Sequence, residues 1–256
     1  MARTQIAAQL YTIRDFTKTP AEVAKSMGKI RDIGYEAVQI SGMGPIDPGE
    51  CRKIMDDNGL EVAATHIGFE RMRDETAAVI EEHNILGCKY PAIGGLPGEY
   101  RTAAEGYERF AKEATEVGRK LAEAGLTFGY HNHSFELERF GNRTGLQIIY
   151  EDSDPTYVTG EIDTYWVQHG GGDPAAWIRK LQGRIFLAHF KDMRIVGGQQ
   201  QYAEVGEGNL NWPNIIEACK GAGVEWYIVE QDQCYDRDPF DSLRISYENL
   251  RSWGLK

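Results

Sequence analysis

The chain has 256 residues, of which 41% are hydrophobic and 26% charged, a composition that supports a sizeable core and argues against disorder. Its 28 Lys and Arg against 39 Asp and Glu give a formal charge of −11, which opposes phosphate backbones and anionic membrane surfaces and leaves nucleic acid and membrane as poor partners. No window approaches the ~20 apolar residues of a spanning helix.

Short apolar runs alternate with longer amphipathic ones along the whole chain, the pattern of parallel strands joined by crossover helices. Eight strands are predicted, at Ile6 to Tyr11, Ala37 to Ser41, Leu60 to His66, Lys89 to Ile93, Leu126 to His131, Tyr157 to Asp163, Arg184 to Lys191 and Glu225 to Glu230. Helices are predicted between them, among them Pro20 to Ile33, with Val23, Met27 and Ile30 at helical spacing, and Tyr100 to Ala124. Gly34, Gly59, Gly125 and Gly223 each stand between a helix and a strand, where a left-handed cap is expected. A length near 250 residues with eight βα units predicts one domain, a (β/α)₈ TIM barrel. A doubly wound open sheet would normally carry a Gly-rich phosphate loop after its first strand, and here that position reads YTIRDFTKTP.

The four cysteines, Cys51, Cys88, Cys219 and Cys234, are widely spaced and read as thiols of a reducing compartment. The N-terminal MARTQIAAQLYTIRD lacks a signal peptide's apolar stretch, so a cytoplasmic protein is expected.

In a barrel, alternate residues of each strand point inward, and those at the C-terminal end face the active site. In LTFGYHNH, outward packing of Leu126, Phe128 and Tyr130 turns His131 and His133 inward. In TYVTGEID, Glu161 and Asp163 take the inner face; in RIFLAHFKD, Ile185 and Leu187 are expected to fill the barrel below His189 and Lys191. In EWYIVEQD, Trp226 and Ile228 precede Glu230. Gln9, Gln39 and His66 hold the corresponding ends of the earlier strands. A strand-end His or Asp taken alone more often caps a helix. A ring of them needs protons or a cation at its centre, and mixed imidazole and carboxylate donors suit one Mn²⁺, Mg²⁺, Co²⁺ or Zn²⁺ ion.

Over nearly its whole length the chain resembles the xylose isomerase-like barrel superfamily, in its sugar phosphate isomerase/epimerase branch. The segments that carry the resemblance are QLYTIRD, GYEAVQISG, YHNHSFELE, GEIDTYWVQHGGGDP, FLAHFKDM, EVGEGNLNW and IVEQDQ. It implies a metal held by Glu, Asp, His and Glu, with the two glutamates also moving protons. Carried onto this sequence, the ligands are Glu136, Asp163, His189 and Glu230, with His131 the alternative to Glu136, which has the wrong strand parity unless the chain bulges or leaves the strand after His133. Glu136 and Glu230 are then the acid/base pair. His66, His131 and Lys191 are expected to bind substrate oxygens, and Tyr11, Trp166 and Phe69 to wall the site; Glu161, one layer deeper, is expected in an ion pair.

A divalent ion chelated by a carbonyl and its neighbouring hydroxyl stabilises an enediolate. The expected activity is therefore isomerisation or epimerisation of a small sugar or keto-sugar. Loss of a β-hydroxyl on the same site would instead make a keto-sugar or inosose dehydratase or lyase. An abasic-site endonuclease needs more metal ligands and a polyanionic substrate, and a sugar-binding protein without catalysis is the non-enzymatic alternative. GEGNLNW, at Gly206 to Trp212, stands where barrels often hold phosphate, although it contains no Lys or Arg. Relatives are often homo-oligomers, and Trp253 is a residue that could pack between subunits.

Overall fold

Helices begin and end where local chemistry provides for them. In the computed structural model, which describes residues 5–256 and so leaves the first four residues of MARTQIAAQLYTIRD outside, the first long helix is Pro20–Ile33. Thr19 and Glu22 form a reciprocal capping box around Pro20, satisfying N–H groups that have no partner inside the helix. The helix predicted from Tyr100 runs over Ala104–Glu123 instead, because Gly98–Tyr100 forms a separate 3-10 turn and the chain is extended at Ala103. All four predicted glycine stops have positive φ, and the Gly223 N–H closes the last turn of Trp212–Ala222 on the Cys219 carbonyl.

Between these helices lie β1 (Gln5–Gln9), β2 (Ala37–Ile40), β3 (Glu61–His66), β4 (Pro91–Ile93), β5 (Phe128–His131), β6 (Val158–Asp163), β7 (Ile185–Phe190) and β8 (Trp226–Val229), all parallel and closed into one barrel. The ring follows chain order, and β8 returns to β1 through pairs such as Ala7 with Ile228. Each predicted strand is present. β1 stops at Gln9 because Leu10–Phe16 turns into a 3-10 helix.

Two apolar layers hold the ring. Val38, Val62, Phe128, Tyr130, Val158 and Ile162 pack outward against the helices, and Ala7, Ala37, Ala63, Leu187, Trp226 and Ile228 fill the closed end inside. With about 1.5–3 kcal/mol per fully buried large side chain, the larger outer layer supplies most of the stability. Ile185 belongs to that outer layer and not to the barrel interior as expected. The reason is a bulge: Gly160 pairs with Ile185 but Glu161 pairs with Leu187, so Phe186 is an extra residue and inverts the parity before it.

Beyond the bulge the register is regular, with Asp163 opposite His189 and Ile228 opposite His189 from the other side. Two short antiparallel ribbons decorate the open end, Arg139–Phe140 with Arg143–Thr144 and Asp192–Val196 with Gln199–Ala203. All four cysteines are free. Among the described residues, no helix is long and apolar enough to cross a membrane.

Candidate active site and metal centre

At the open end of the barrel, His131 from β5, Asp163 from β6, His189 from β7 and Glu230 just past β8 meet, with one potential ligand atom of each within 4.8 Å of the others. All four are buried. His131 Nε2 lies 3.2 Å from Asp163 Oδ2, and His189 Nδ1 lies 2.9 Å from Glu230 Oε2 and 3.8 Å from Asp163 Oδ2. Asp163 has two tasks. Its Oδ1 accepts from Trp166 N at 2.8 Å and caps Thr164–His169, while Oδ2 faces the group. The capping expected of a strand-end aspartate thus leaves its second oxygen turned toward the group.

Lys191, next in the inward alternation, has no exposed surface and points into the same group. Its Nζ is 2.6 Å from Glu230 Oε2, 2.8 Å from Asp232 Oδ2 and 3.0 Å from Asp163 Oδ2. Burial alone would drive the ammonium toward neutrality, yet three carboxylates hold it charged, well above the usual lysine range. Burial pushes the acids the other way, and the cations outweigh it: Lys191 and His131 draw Asp163 down, and Lys191 and His189 draw Glu230 down. For His189 burial opposes the proton, but Glu161 and Glu230 raise it to about 10.

One layer deeper, Glu161 bridges two imidazoles, 2.7 Å from His66 Nε2 through Oε2 and 3.3 Å from His189 Nε2 through Oε1. Gln39 and Gln9, from β2 and β1, complete this layer. Sequence parity identified both glutamines as strand ends without giving them a role. Asp232, two residues past Glu230, was not anticipated.

Glu136 stays outside the group. After His133 the chain turns into the 3-10 segment Phe135–Leu137, which carries Glu136 back toward the wall of the barrel. There its Oε1 accepts from Tyr130 Oη at 2.7 Å and its Oε2 from His133 N at 2.9 Å. Burial pushes its carboxyl up to about 7 against the pull of those donors. His131, the alternative by parity, takes the place at the rim.

A cavity of about 200 Å³ opens beside the group, lined in part by Tyr11, His66, His131, His133, Glu230 and Asp232. Trp166 stands at its edge, its ring 5.1 Å from that of His133 and 5.5 Å from Lys191 Nζ. Phe69 is not at the site: it is buried against Tyr100, Phe110 and Phe128 behind the barrel.

The GEGNLNW loop turns four of its donors inward, onto Asp192. Gly206 N, Gly208 N and Trp212 Nε1 donate to Asp192 Oδ2 at 2.9, 3.1 and 2.6 Å, and Leu210 N donates to Oδ1 at 3.2 Å. An internal carboxylate thus fills the anion-binding turn. Gly208 is required there, since a Cβ would lie 2.3 Å from Asp192 Oδ1.

Comparison with known proteins agrees with this architecture. The chain is 23% identical to the rhizopine catabolism protein MocC of Rhizobium meliloti, across 91% of this chain and 81% of that one. It is 23% identical to an inosose dehydratase of Lacticaseibacillus casei, across 78% of each. The crystal structure of a sugar phosphate isomerase/epimerase from Parabacteroides distasonis superposes with a TM-score of 0.82 at 22% identity, covering 98% of this chain and 95% of that chain. The profile described as Xylose isomerase-like TIM barrel matches residues 27–253. With a closed ring of eight parallel strands and that match over most of its length, the chain belongs to the xylose isomerase-like TIM barrel family.

Proposed function

We propose that the chain is a divalent-metal-dependent enzyme that removes a proton from the carbon beside the carbonyl of a small sugar, keto-sugar or inosose. The observation that carries this reading is the buried group of His131, Asp163, His189 and Glu230, two imidazoles and two carboxylates with ligand atoms within 4.8 Å of one another. That donor set suits Mn²⁺, Mg²⁺, Co²⁺ or Zn²⁺. A divalent ion held by these four residues supplies Lewis acidity toward a carbonyl oxygen. The cavity of about 200 Å³ beside the group is smaller than the roughly 300–1,000 Å³ of drug-sized sites and matches a single sugar or cyclitol ring.

In this reading Glu230, at the cavity wall, accepts the proton from carbon. Lys191, in contact with Glu230, places positive charge near the oxygen on which negative charge develops. His66 and Tyr11 bind hydroxyls, and Trp166 walls the rim.

Elimination is the first form of the chemistry, with Glu230 as the base and Asp232, on the same cavity wall, as the acid. The electron pair of the broken C–H bond then forms the new double bond as the β-hydroxyl departs, taking a proton from the acid form of Asp232, which burial favours, and leaving as water. The inosose dehydratase among the relatives performs a reaction of this class by its name. Isomerisation or epimerisation is the second reading, and Asp232 favours it too: it lines the cavity with Glu230 and could return the proton to another face or carbon of the substrate.

The test is incubation of the protein with Mn²⁺ or Co²⁺ and an inosose or a ketohexose in D₂O, followed by mass spectrometry. Loss of water supports elimination, and deuterium gain without loss of water supports epimerisation or isomerisation. Neither change across the panel, with metal bound, would remove the enzymatic reading.

A further inference from the structure

The layer under the rim decides which nitrogen of His189 can serve a metal. A carboxylate only accepts hydrogen bonds, so the contact of Gln39 Nε2 with Glu161 Oε1 at 2.7 Å fixes the amide of Gln39 with its nitrogen toward Glu161. Gln39 Oε1 must then face the other way. There it meets Gln9 Nε2 at 2.6 Å and His189 Nε2 at 2.6 Å. With Glu161 Oε1 also 3.3 Å from His189 Nε2, that nitrogen has only acceptors around it and keeps its hydrogen. Nδ1, on the opposite edge of the ring, faces Glu230 and Asp163.

We infer that Gln39 and Glu161 are positioning residues that hold His189 as an Nε2–H donor and leave Nδ1 as its metal-binding atom. The inference rests on the metal reading above and adds to it the atom used and the residues that select it. Glu161 does the same for a second ring: its Oε2 holds His66 Nε2 at 2.7 Å, and the rings of His66 and His189 stack at 5.3 Å and 20°. His66, Glu161 and His189 are close enough to form a metal group of their own. However, the nitrogens that would have to bind are the ones engaged with Glu161 and Gln39, so the layer orients ligands and does not hold a second ion. Outer partners of metal-bound histidines commonly act in this way, and their loss weakens metal binding about 10–100-fold.

The experiment measures Co²⁺ binding by calorimetry to the full chain and to Glu161→Gln and Gln39→Leu, and locates the ion by anomalous scattering in crystals of the parent protein. One ion per chain on His189 Nδ1 is expected, with affinity reduced about 10–100-fold in both variants. Coordination through His189 Nε2, or a second ion between His66 and Glu161, overturns the inference, and so does unchanged affinity in folded variants. The crystal decides the matter if a variant does not fold. A parent protein that binds no Co²⁺ overturns the metal reading itself and this inference with it, an outcome distinct from the others.

Discussion

Lys191 Nζ stands 2.6 Å from Glu230 Oε2, the same oxygen that His189 Nδ1 reaches at 2.9 Å. A buried ammonium therefore donates to an oxygen whose lone pairs the proposed metal would use. Two unit charges 4 Å apart interact by about 4 kcal/mol at an effective dielectric of 20, so the lysine opposes a metal ion while stabilising the carboxylates without one.

Lys191→Met should separate these effects. In EDTA the variant is expected to lose about 3–5 kcal/mol of stability, the usual result of leaving one side of a buried ion pair uncompensated. Its affinity for Mn²⁺ should rise about tenfold or more, and turnover should fall about 100-fold. Denaturant titrations with and without metal, calorimetry and rates check the three arms. Weaker metal binding would contradict the competition.

His131→Ala and Glu136→Gln compare the two residues that compete in the sequence for the same role. Loss of the imidazole at the rim is expected to weaken Mn²⁺ binding about 100-fold, roughly 2.7 kcal/mol. Glu136→Gln should leave affinity within about threefold, because Glu136 bonds Tyr130 and His133 and lies outside the ligand group. The opposite ranking, measured by calorimetry, would return Glu136 to the metal.

Stability should depend on pH through two buried groups of opposite sign. His83 is buried between Thr65 and Val79, and burial lowers its proton affinity below the usual 6.5. The unfolded chain then binds the proton more readily, so its contribution is present above pH 6.5 and is lost as pH falls below it. Glu136 has the reverse sign: raised to about 7 by burial, it favours the folded state at low pH and that contribution disappears as pH rises through 7. Urea unfolding from about pH 4 to 9 should show His83→Gln removing a loss of stability on acidification below 6.5, and Glu136→Gln removing a loss of stability as pH rises from 4.5 to about 7. Slopes unchanged by the two substitutions would refute these assignments.

Asp192→Asn should loosen the turn that follows the ribbon. Four backbone N–H groups and an indole converge on this carboxylate, and an amide offers one accepting oxygen while turning N–H groups against the other donors. A loss of about 2–4 kcal/mol is expected, with faster hydrogen exchange at Gly206, Gly208 and Leu210. Protection equal to the parent's would show that the turn stands without the charge.

The barrel was legible because its signals are local and repeat: apolar runs of strand length, capping residues, glycine at helix ends. Asp163, His189 and Glu230 could be placed at the rim by counting alternate residues back from outward-facing Ile162, Ala188 and Val229. The same count misplaced Ile185, since one extra residue at Phe186 inverts it. It also could not follow Glu136, which lies beyond the strand in a turn whose direction is set by the Tyr130 hydroxyl and the His133 N–H. Asp192 was hidden for a related reason. Its partners in the loop lie 14 to 20 residues ahead, and no periodic pattern connects a carboxylate to a loop at that distance.

The enclosure of Asp192 by Gly206 to Trp212 has a consequence for how this scaffold can diversify. An anion tethered to its own receptor is never diluted away, so the corner after β7 is prepaid with negative charge and would repel a phosphorylated ligand arriving there. Evolving a phosphate handle at this corner would first require evicting the resident carboxylate and then adding a cation to a loop that has none.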